Sequence, residues 1–167
     1  MMAARLAKLA MVASLAAFAF IVTFDNIAAY ATNFAFVQHV LSMDTTFPGN
    51  GLMYRAITSP AAWHAAYMLI IAAEGLTCAL LAAGAAALWR NRRADAAAFD
   101  RAKRFTILGV TMAFLIWFTG FMVVGGEWFA MWQSKTWNGQ QPAFRFYMTA
   151  LVVLLFVTQP DRELPAR

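Results

Sequence analysis

Four long apolar stretches, separated by polar and basic segments, dominate the hydropathy pattern of the chain. The third stretch contains twenty residues without a charge, from Phe105 to Val124. An apolar run of 18 or more residues is typical of a membrane-spanning helix. We therefore predict an all-α membrane protein, a bundle of four transmembrane helices forming a single domain over residues 1–167. The predicted spans are residues 6–31, 61–88, 105–124 and 142–158.

The first span also has features of a cleavable signal peptide. Arg5 and Lys8 precede the apolar run 9–24, and Ala29-Tyr30-Ala31 has the small-x-small pattern of a cleavage site. The apolar run is, however, longer than the hydrophobic region of a usual signal peptide. We expect an uncleaved helix, and cleavage is the alternative.

Composition agrees with insertion into lipid. Hydrophobic residues make up 62% of the 167 positions and charged residues 13%, whereas about a quarter of the residues of a soluble domain are charged. The mean hydropathy is +0.60. The net charge of +5 comes from cations beside the ends of hydrophobic runs, not from a basic stripe with stacking aromatics. We therefore expect no nucleic-acid binding.

The distribution of Lys and Arg predicts the orientation. Ten flank the spans on one side and three on the other. Because the cytoplasmic side of a membrane protein carries the excess of basic residues, both termini and the loop 89–104 are predicted to be cytoplasmic. This describes a multi-pass protein of the bacterial inner membrane. The larger set is Arg5, Lys8, Arg90, Arg92, Arg93, Arg101, Lys103, Arg104, Arg162 and Arg167, and the smaller is Arg55, Lys135 and Arg145.

The two predicted outer loops are residues 32–60 and 126–141. The first is longer than a connection between helices needs, and its segment Asn33–Met43 has the mixed apolar and polar pattern of a short helix lying in the outer interface. The second loop is rich in tryptophan, which is typical of residues at the membrane–water boundary. Its tryptophans are Trp128, Trp132 and Trp137.

Both outer loops carry long motifs. The first contains NFAFVQHVLSMDTTFPGN over residues 33–50, and the second contains GGEWFAMWQS over 125–134 and TWNGQQ over 136–141. These motifs resemble those of a bacterial family of predicted small integral membrane proteins of unknown function (domain of unknown function 2165). The resemblance covers nearly the whole chain. It implies four spans, and it implies no activity.

Glu74 is the most unusual residue of the predicted spans, because it falls close to the middle of the second one. An ionisable residue at that depth costs about 2.5–3.5 kcal/mol on insertion scales and is usually functional or paired. Tyr67, Thr77 and Cys78 share its helical face. One interpretation is a protonatable site for a proton or small solute. The other is a neutral glutamic acid that holds neighbouring helices in register by a hydrogen bond.

A second polar cluster is predicted at the outer mouth of the bundle. It consists of Asp25, Asn26, Glu127 and Arg145. Arg145 lies one turn into the fourth span and needs either a partner or a snorkelling side chain. We hypothesise that Glu127 or Asp25 pairs with it, and the alternative is separate solvation among the headgroups.

Metal and cofactor chemistry has little support in the sequence. The single cysteine, Cys78, and the two histidines, His39 and His64, are too few for structural zinc or c-type haem. The two histidines leave b-type haem as a hypothesis, although bis-histidine ligation usually draws on two firmly placed helices. No cofactor is predicted, with haem b or quinone as the alternatives.

Three functions compete at this point. The first is a non-catalytic accessory or structural subunit of a larger respiratory or photosynthetic membrane complex, in contact with lipid and with other membrane subunits or copies of itself. The second is a transporter-like protein that conducts a proton or small solute through Glu74. The third is a quinone- or haem-binding membrane anchor of a dehydrogenase. We prefer the first, and the sequence contains no nucleophile–base motif that would favour an enzyme.

Overall fold

The computed structural model describes residues 2–163, and this part of the chain is helical with no strand. A π-helical segment, Leu115–Trp128, continues α5, and short 3-10 turns lie at Met53–Arg55 and Met131–Gln133. The α-helices are α1 (Met2–Ala28), α2 (Tyr30–Ser42), α3 (Pro60–Asn91), α4 (Ala96–Ala102), α5 (Arg104–Phe114) and α6 (Gln140–Thr158).

The predicted four-span architecture is confirmed. Over the described residues, four helical stretches are long and apolar enough to cross a membrane, with mean hydropathies from 1.4 to 2.2. Large apolar side chains cover their outward faces, as a lipid-facing surface requires. Leu69, for example, is 71% exposed and Leu155 65% exposed. The four stretches are Met2–Ala28, Pro60–Asn91, Ala96–Trp128 and Gln140–Thr158.

α3 is the central helix, and it packs most extensively against α1 and α5. Glycines permit the contact with α5. A Cβ atom on Gly84 would lie 2.5 Å from Thr106 Oγ1, and one on Gly109 would lie 2.8 Å from Leu81 Cγ. The backbones of α3 and α5 therefore approach each other as closely as small residues in membrane helices allow.

The first span ends earlier than predicted, at a bend. The prediction of a continuous helix to residue 31 was wrong, because Ala29 has a non-helical backbone (φ −108°, ψ 40°) that separates α1 from α2. α2 then packs against α3, where Val37 contacts the side chains of Tyr67 and Ile71. The helix predicted over Asn33–Met43 exists, and it forms part of the packed bundle.

The third span is longer than predicted. Gly125 and Gly126 do not end it, since the helix continues to Trp128 in π-helical form, with Phe129 N donating to Val124 O at 3.0 Å. Both glycines are buried. A Cβ atom on Gly126 would lie 2.6 Å from Gln140 Nε2. Gly126 therefore permits close packing against Gln140, and neither glycine ends the helix.

The predicted cytoplasmic loop 89–104 contains a helix of its own. Asp95 caps α4 by accepting a hydrogen bond from Ala98 N at 2.6 Å. Phe99 of α4 is fully buried in the main core. The loop therefore packs onto the bundle at the end where the two described termini meet.

A buried charge cluster closes this end, which we call the basic end and define by Arg5, Lys8, Lys103 and Asp161. Each cation is at most 3% exposed. Lys8 Nζ and Lys103 Nζ both donate to Asp161 Oδ2 at 2.6 Å. They also both donate to the carbonyl oxygen of Gln159, at 2.7 and 2.8 Å. The segment after α6 is thereby fastened to α1 and to the start of α5.

Arg5 completes the basic end through backbone oxygens. Its guanidinium donates to the carbonyl groups of Arg92 at 3.2 Å, Ala94 at 2.6 Å and Arg162 at 3.3 Å. It also lies 4.6 Å from the centroid of the Phe99 ring. Arg5, Lys8 and Lys103, which were predicted to flank the spans on the cytoplasmic side, are therefore buried and hold this end of the bundle together.

Candidate functional site

Glu74 lies inside the bundle and is 3% exposed. Its carboxylate accepts a hydrogen bond from Asn26 Nδ2 at 2.7 Å. Asn26 is in the last turn of α1 and Glu74 is near the middle of α3, so this bond crosses the most extensive helix contact of the fold. A buried polar group in a membrane bundle needs such a partner.

Asn26 is the centre of a hydrogen-bond network. Its side-chain oxygen accepts from Asn33 Nδ2 at 2.8 Å and from the Tyr67 hydroxyl at 3.1 Å. The Tyr67 hydroxyl also lies 3.0 Å from the backbone oxygen of Asn26. Three helices therefore meet at this residue: α1 through Asn26, α2 through Asn33, and α3 through Tyr67 and Glu74.

Local geometry explains why these side chains converge. Tyr67 and Glu74 are seven residues apart on α3, a separation of two turns that places both on one face. Asn26 and Asn33 are also seven residues apart, but the bend at Ala29 lies between them. After the bend α2 packs against α3, and Asn33 still comes within hydrogen-bond distance of Asn26.

A cavity of about 260 Å³ adjoins this network, and we call it the Glu74 cavity. Its polar lining comes from Asn26, Asn33, Tyr67 and Glu74. Most of the remaining lining is aromatic or aliphatic. The aromatic rings among those other residues are Phe36, Trp117, Phe121 and Phe146.

A second, larger hollow of about 440 Å³ lies beside the first. We call it the apolar groove. It is lined by residues of α2, α3, α5 with its π-helical continuation, and the segment that follows, and every lining residue is apolar. Four residues line both hollows. Two of them, Phe36 and Phe121, stack with ring centroids 5.8 Å apart and planes inclined by 21°. The other two shared residues are Val37 and Ile70.

The charge of the Glu74 carboxylate has no protein counter-charge. Among residues 2–163, no Lys, Arg or His forms an ion pair with Glu74, and none lines the Glu74 cavity. The hydrogen-bond partner Asn26 is neutral. An isolated buried carboxylate is costly, so this position favours a neutral carboxyl group or one whose charge is balanced.

The predicted intramembrane polar set is only partly assembled. Tyr67 joins Glu74 at the cavity. Thr77 is fully buried, but its hydroxyl donates to Ala73 O of its own helix at 2.9 Å. Cys78 packs at the edge of the main hydrophobic core. Neither Thr77 nor Cys78 lines the Glu74 cavity.

The predicted outer-mouth cluster is divided. Asn26 belongs to the cavity network, whereas Asp25, Glu127 and Arg145 have exposed side chains. Within the described range, none of these three forms an ion pair. The hypothesised pairing of Arg145 with Glu127 or Asp25 is not formed, and exposure lets each charge be solvated separately.

The two histidines have different neighbours. His39 Nδ1 lies 2.7 Å from Asp44 Oδ2, and its ring stacks on Trp137. His64 Nδ1 lies 2.8 Å from the Tyr30 hydroxyl, and the His64 ring stacks on the ring of Phe34 in α2. Among the described residues, none bonds to or stacks on both histidines, and neither histidine lines the Glu74 cavity. Over residues 2–163, no group of three or more His, Cys, Asp or Glu is placed to hold a metal ion.

Sequence reasoning missed the aromatic part of the site. Trp117 and Phe121 belong to the third span and Phe146 to the fourth, and nothing in their local sequence distinguishes them from other lipid-span aromatics. For the polar part of the site, the sequence did offer one indication. Asn26 and Asn33 are two amide side chains seven residues apart, near the end of the first predicted span.

Comparison with known proteins identifies one family. A family model described as "Predicted small integral membrane protein (DUF2165)" matches residues 4–160. No curated protein and no solved structure matches the chain. The resemblance expected from the outer-loop motifs is thereby confirmed.

Proposed function

The chain belongs to the DUF2165 family of predicted small integral membrane proteins, and we propose that it is a multi-pass membrane protein that binds and releases a proton or small solute at the Glu74 cavity. This is the transporter-like function. It is supported best by one observation: a carboxylate that is 3% exposed, borders a cavity of about 260 Å³ and has no described counter-charge.

The surroundings of Glu74 support binding more than simple helix locking. A carboxyl that served only to hold α1 against α3 would be expected in a filled interface. Here the carboxyl lines a cavity together with Asn33 and Tyr67, whose side-chain oxygens can still accept a hydrogen bond from a ligand. Perturbable ionisable groups in a concave, mostly apolar site are typical of functional sites.

Covalent labelling of Glu74 tests this function. A hydrophobic carbodiimide reacts with a protonated carboxyl: the O–H adds across a C=N bond, and the acyl group then migrates to nitrogen to leave a stable N-acylurea. In the detergent-solubilised full chain, we expect mass spectrometry to find the adduct at Glu74. The control is the Asp25→Asn variant, which loses an exposed carboxylate in the last turn of α1. It should be labelled at Glu74 like the unmodified protein.

The Glu74→Gln variant should lose this adduct. Absence of label at Glu74 in the folded protein, under conditions where the reagent reaches other membrane carboxyls, would contradict an accessible binding cavity. Flux measurements in liposomes give a separate test. If Glu74→Gln leaves proton or solute flux unchanged, Glu74 takes no part in transport.

A second candidate function is an accessory or structural subunit of a larger respiratory or photosynthetic membrane complex. Large apolar side chains of the outer loops support it: Tyr54 is 76% exposed, Trp128 53% and Phe47 50%. Aromatic residues are enriched at protein interfaces. Stoichiometric copurification of another membrane subunit after mild detergent extraction is the expected result, and a monodisperse species of this chain alone would contradict it.

The proposed setting is the bacterial inner membrane with both termini in the cytoplasm. The ten-to-three distribution of Lys and Arg supports this orientation. A reporter enzyme active only in the cytoplasm should work when fused after Arg167, and activity of a periplasm-specific reporter at that position would contradict it.

A further inference from the structure

We propose that the ligand of the Glu74 cavity is a lipophilic organic cation that arrives from the bilayer through the apolar groove. This inference rests on the proposed function, since it names the class of ligand for the same site. It is carried by three independent features: the unpaired carboxylate, the aromatic lining, and the adjoining groove.

Electrostatics selects a cation. The Glu74 carboxylate receives one described hydrogen bond, from Asn26 Nδ2. The side-chain oxygen of Asn26 already accepts hydrogen bonds from both Asn33 and Tyr67. These two donors are therefore directed at Asn26 and not at the carboxylate. None of the described residues that line the cavity carries a positive charge. A cationic ligand supplies it and restores neutrality in a low-dielectric site, where an unpaired charge is most costly.

The lining selects an organic cation over a metal ion. Hard metal ions require about six or more oxygen ligands, and the lining has one carboxylate, two amides and a phenol. The lining also includes the aromatic rings of Trp117, Phe121 and Phe146. Ring faces attract ammonium groups, and aromatic cages are the usual recognition site for quaternary ammonium. The volume of about 260 Å³ is just below the range of roughly 300–1,000 Å³ for drug-sized ligands, so the cation is small.

The apolar groove selects a lipophilic ligand and supplies a route. Its lining is apolar throughout, and it shares Phe36 and Phe121 with the Glu74 cavity. The stacked pair therefore forms part of the boundary between the groove and the cavity. Both rings rest on Gly139, where a Cβ atom would lie 2.8 Å from Phe36 Cζ and 3.1 Å from Phe121 Cδ1. A ligand that passes from the groove to the cavity moves past this shared boundary.

A matched pair of compounds tests the charge requirement. Benzyltrimethylammonium and neopentylbenzene have the same shape and differ in one atom, N⁺ against C. Calorimetric titration of the full chain in detergent should detect binding of the cation and at least tenfold weaker binding of the neutral isostere. Glu74→Gln should weaken binding of the cation by at least tenfold, while Asp25→Asn, the control for loss of an acidic residue, should leave it unchanged.

Protection from labelling provides a test that needs no variant. Bound benzyltrimethylammonium should slow carbodiimide labelling of Glu74 in the unmodified protein, and neopentylbenzene should not. If Glu74 is labelled but the two compounds bind and protect equally, the cation inference is wrong and the proposed function stands. If Glu74 is not labelled at all, the proposed function fails first.

Discussion

The side-chain amide of Asn26 on α1 donates a 2.7 Å hydrogen bond to the carboxylate of Glu74 on α3. The two residues are 48 positions apart in sequence, and Asn26 also accepts hydrogen bonds from α2 and from a second position on α3. One asparagine therefore links three helices by hydrogen bonds and contacts the one carboxyl that lines the Glu74 cavity among the described residues.

Replacing Asn26 with alanine should destabilise the bundle. The change leaves Glu74 without its donor and removes the common acceptor of Asn33 and Tyr67. We expect a loss of about 1–2 kcal/mol in the free energy of unfolding, the range for hydrogen bonds between membrane helices. Denaturant titration in detergent measures it. Asp25→Ala, an exposed neighbour, should change stability by less than about 0.5 kcal/mol, and equal losses in the two variants would contradict the central role of Asn26.

At the basic end, the Asp161→Asn variant should destabilise the protein more than the loss of an exposed carboxylate does. Asp161 is the carboxylate shared by Lys8 and Lys103, and both cations are 3% exposed. Removing one partner of a buried ion pair leaves an uncompensated charge and costs about 3–5 kcal/mol. We expect a clear fall in thermal stability in detergent.

Glu163→Gln is the matched control for Asp161→Asn. Glu163 is exposed and accepts hydrogen bonds only from the backbone amide of Ala96, at 3.1 and 3.2 Å, among the described contacts. Its replacement should leave the melting temperature nearly unchanged. If Asp161→Asn melts at the same temperature as this control, the shared carboxylate does not hold the basic end together.

The same cluster predicts acid sensitivity. Burial alone would raise the pKa of the Asp161 carboxyl, but hydrogen bonds from Lys103 and Lys8 and their positive charges outweigh burial and lower that pKa below its ordinary value of 3.8. Because the folded pKa is below the unfolded one, the stabilisation is complete above about pH 5 and is lost as pH falls through the folded pKa.

Melting temperatures measured over an acid series check this prediction. The unmodified protein should lose stability progressively below about pH 4, and Asp161→Asn should show a smaller loss over the same range. An identical acid profile in the two proteins would assign the acid sensitivity to other carboxyls.

Gly84→Ala should weaken the contact between α3 and α5. The added Cβ would lie 2.5 Å from Thr106 Oγ1 and 2.9 Å from Thr106 N, so a backbone has to move. Overpacking of this kind costs about 1–3 kcal/mol. Gly75→Ala on the same helix is the control, because its Cβ would meet only Thr23 Cγ2 at 3.7 Å. Alanine should there be neutral or stabilising by up to about 1 kcal/mol, as thermal unfolding can show.

Much of the fold could be predicted because hydrophobicity is a local property of a segment. Four apolar runs predict four spans, and the structure confirms them. The ends were less accurate. The third span was predicted to end at residue 124, but a π-helical segment carries the helix past Gly125 and Gly126. The bend at Ala29 has no glycine or proline in its sequence that would predict it.

The candidate site, like the fold, was predicted only in part. Glu74 was recognisable because an acidic residue in an apolar run is unusual in any membrane protein. Its partner was not, because Asn26 was grouped with the residues of the outer mouth. Tyr67 was placed correctly by helical spacing along α3, whereas Thr77, on the same predicted face, bonds its own helix.

The order of residues alone decides which segments enter the membrane and where an acid lies within them, because transfer into lipid depends on composition over one helix length. The pairing of Asn26 with Glu74, the burial of Arg5, Lys8 and Lys103, and the two adjoining hollows are decided only by tertiary structure. They depend on which helix faces meet, and helix packing is determined by side chains far apart in sequence. The site exists because α1, α2 and α3 converge, a property that none of the three helices has by itself.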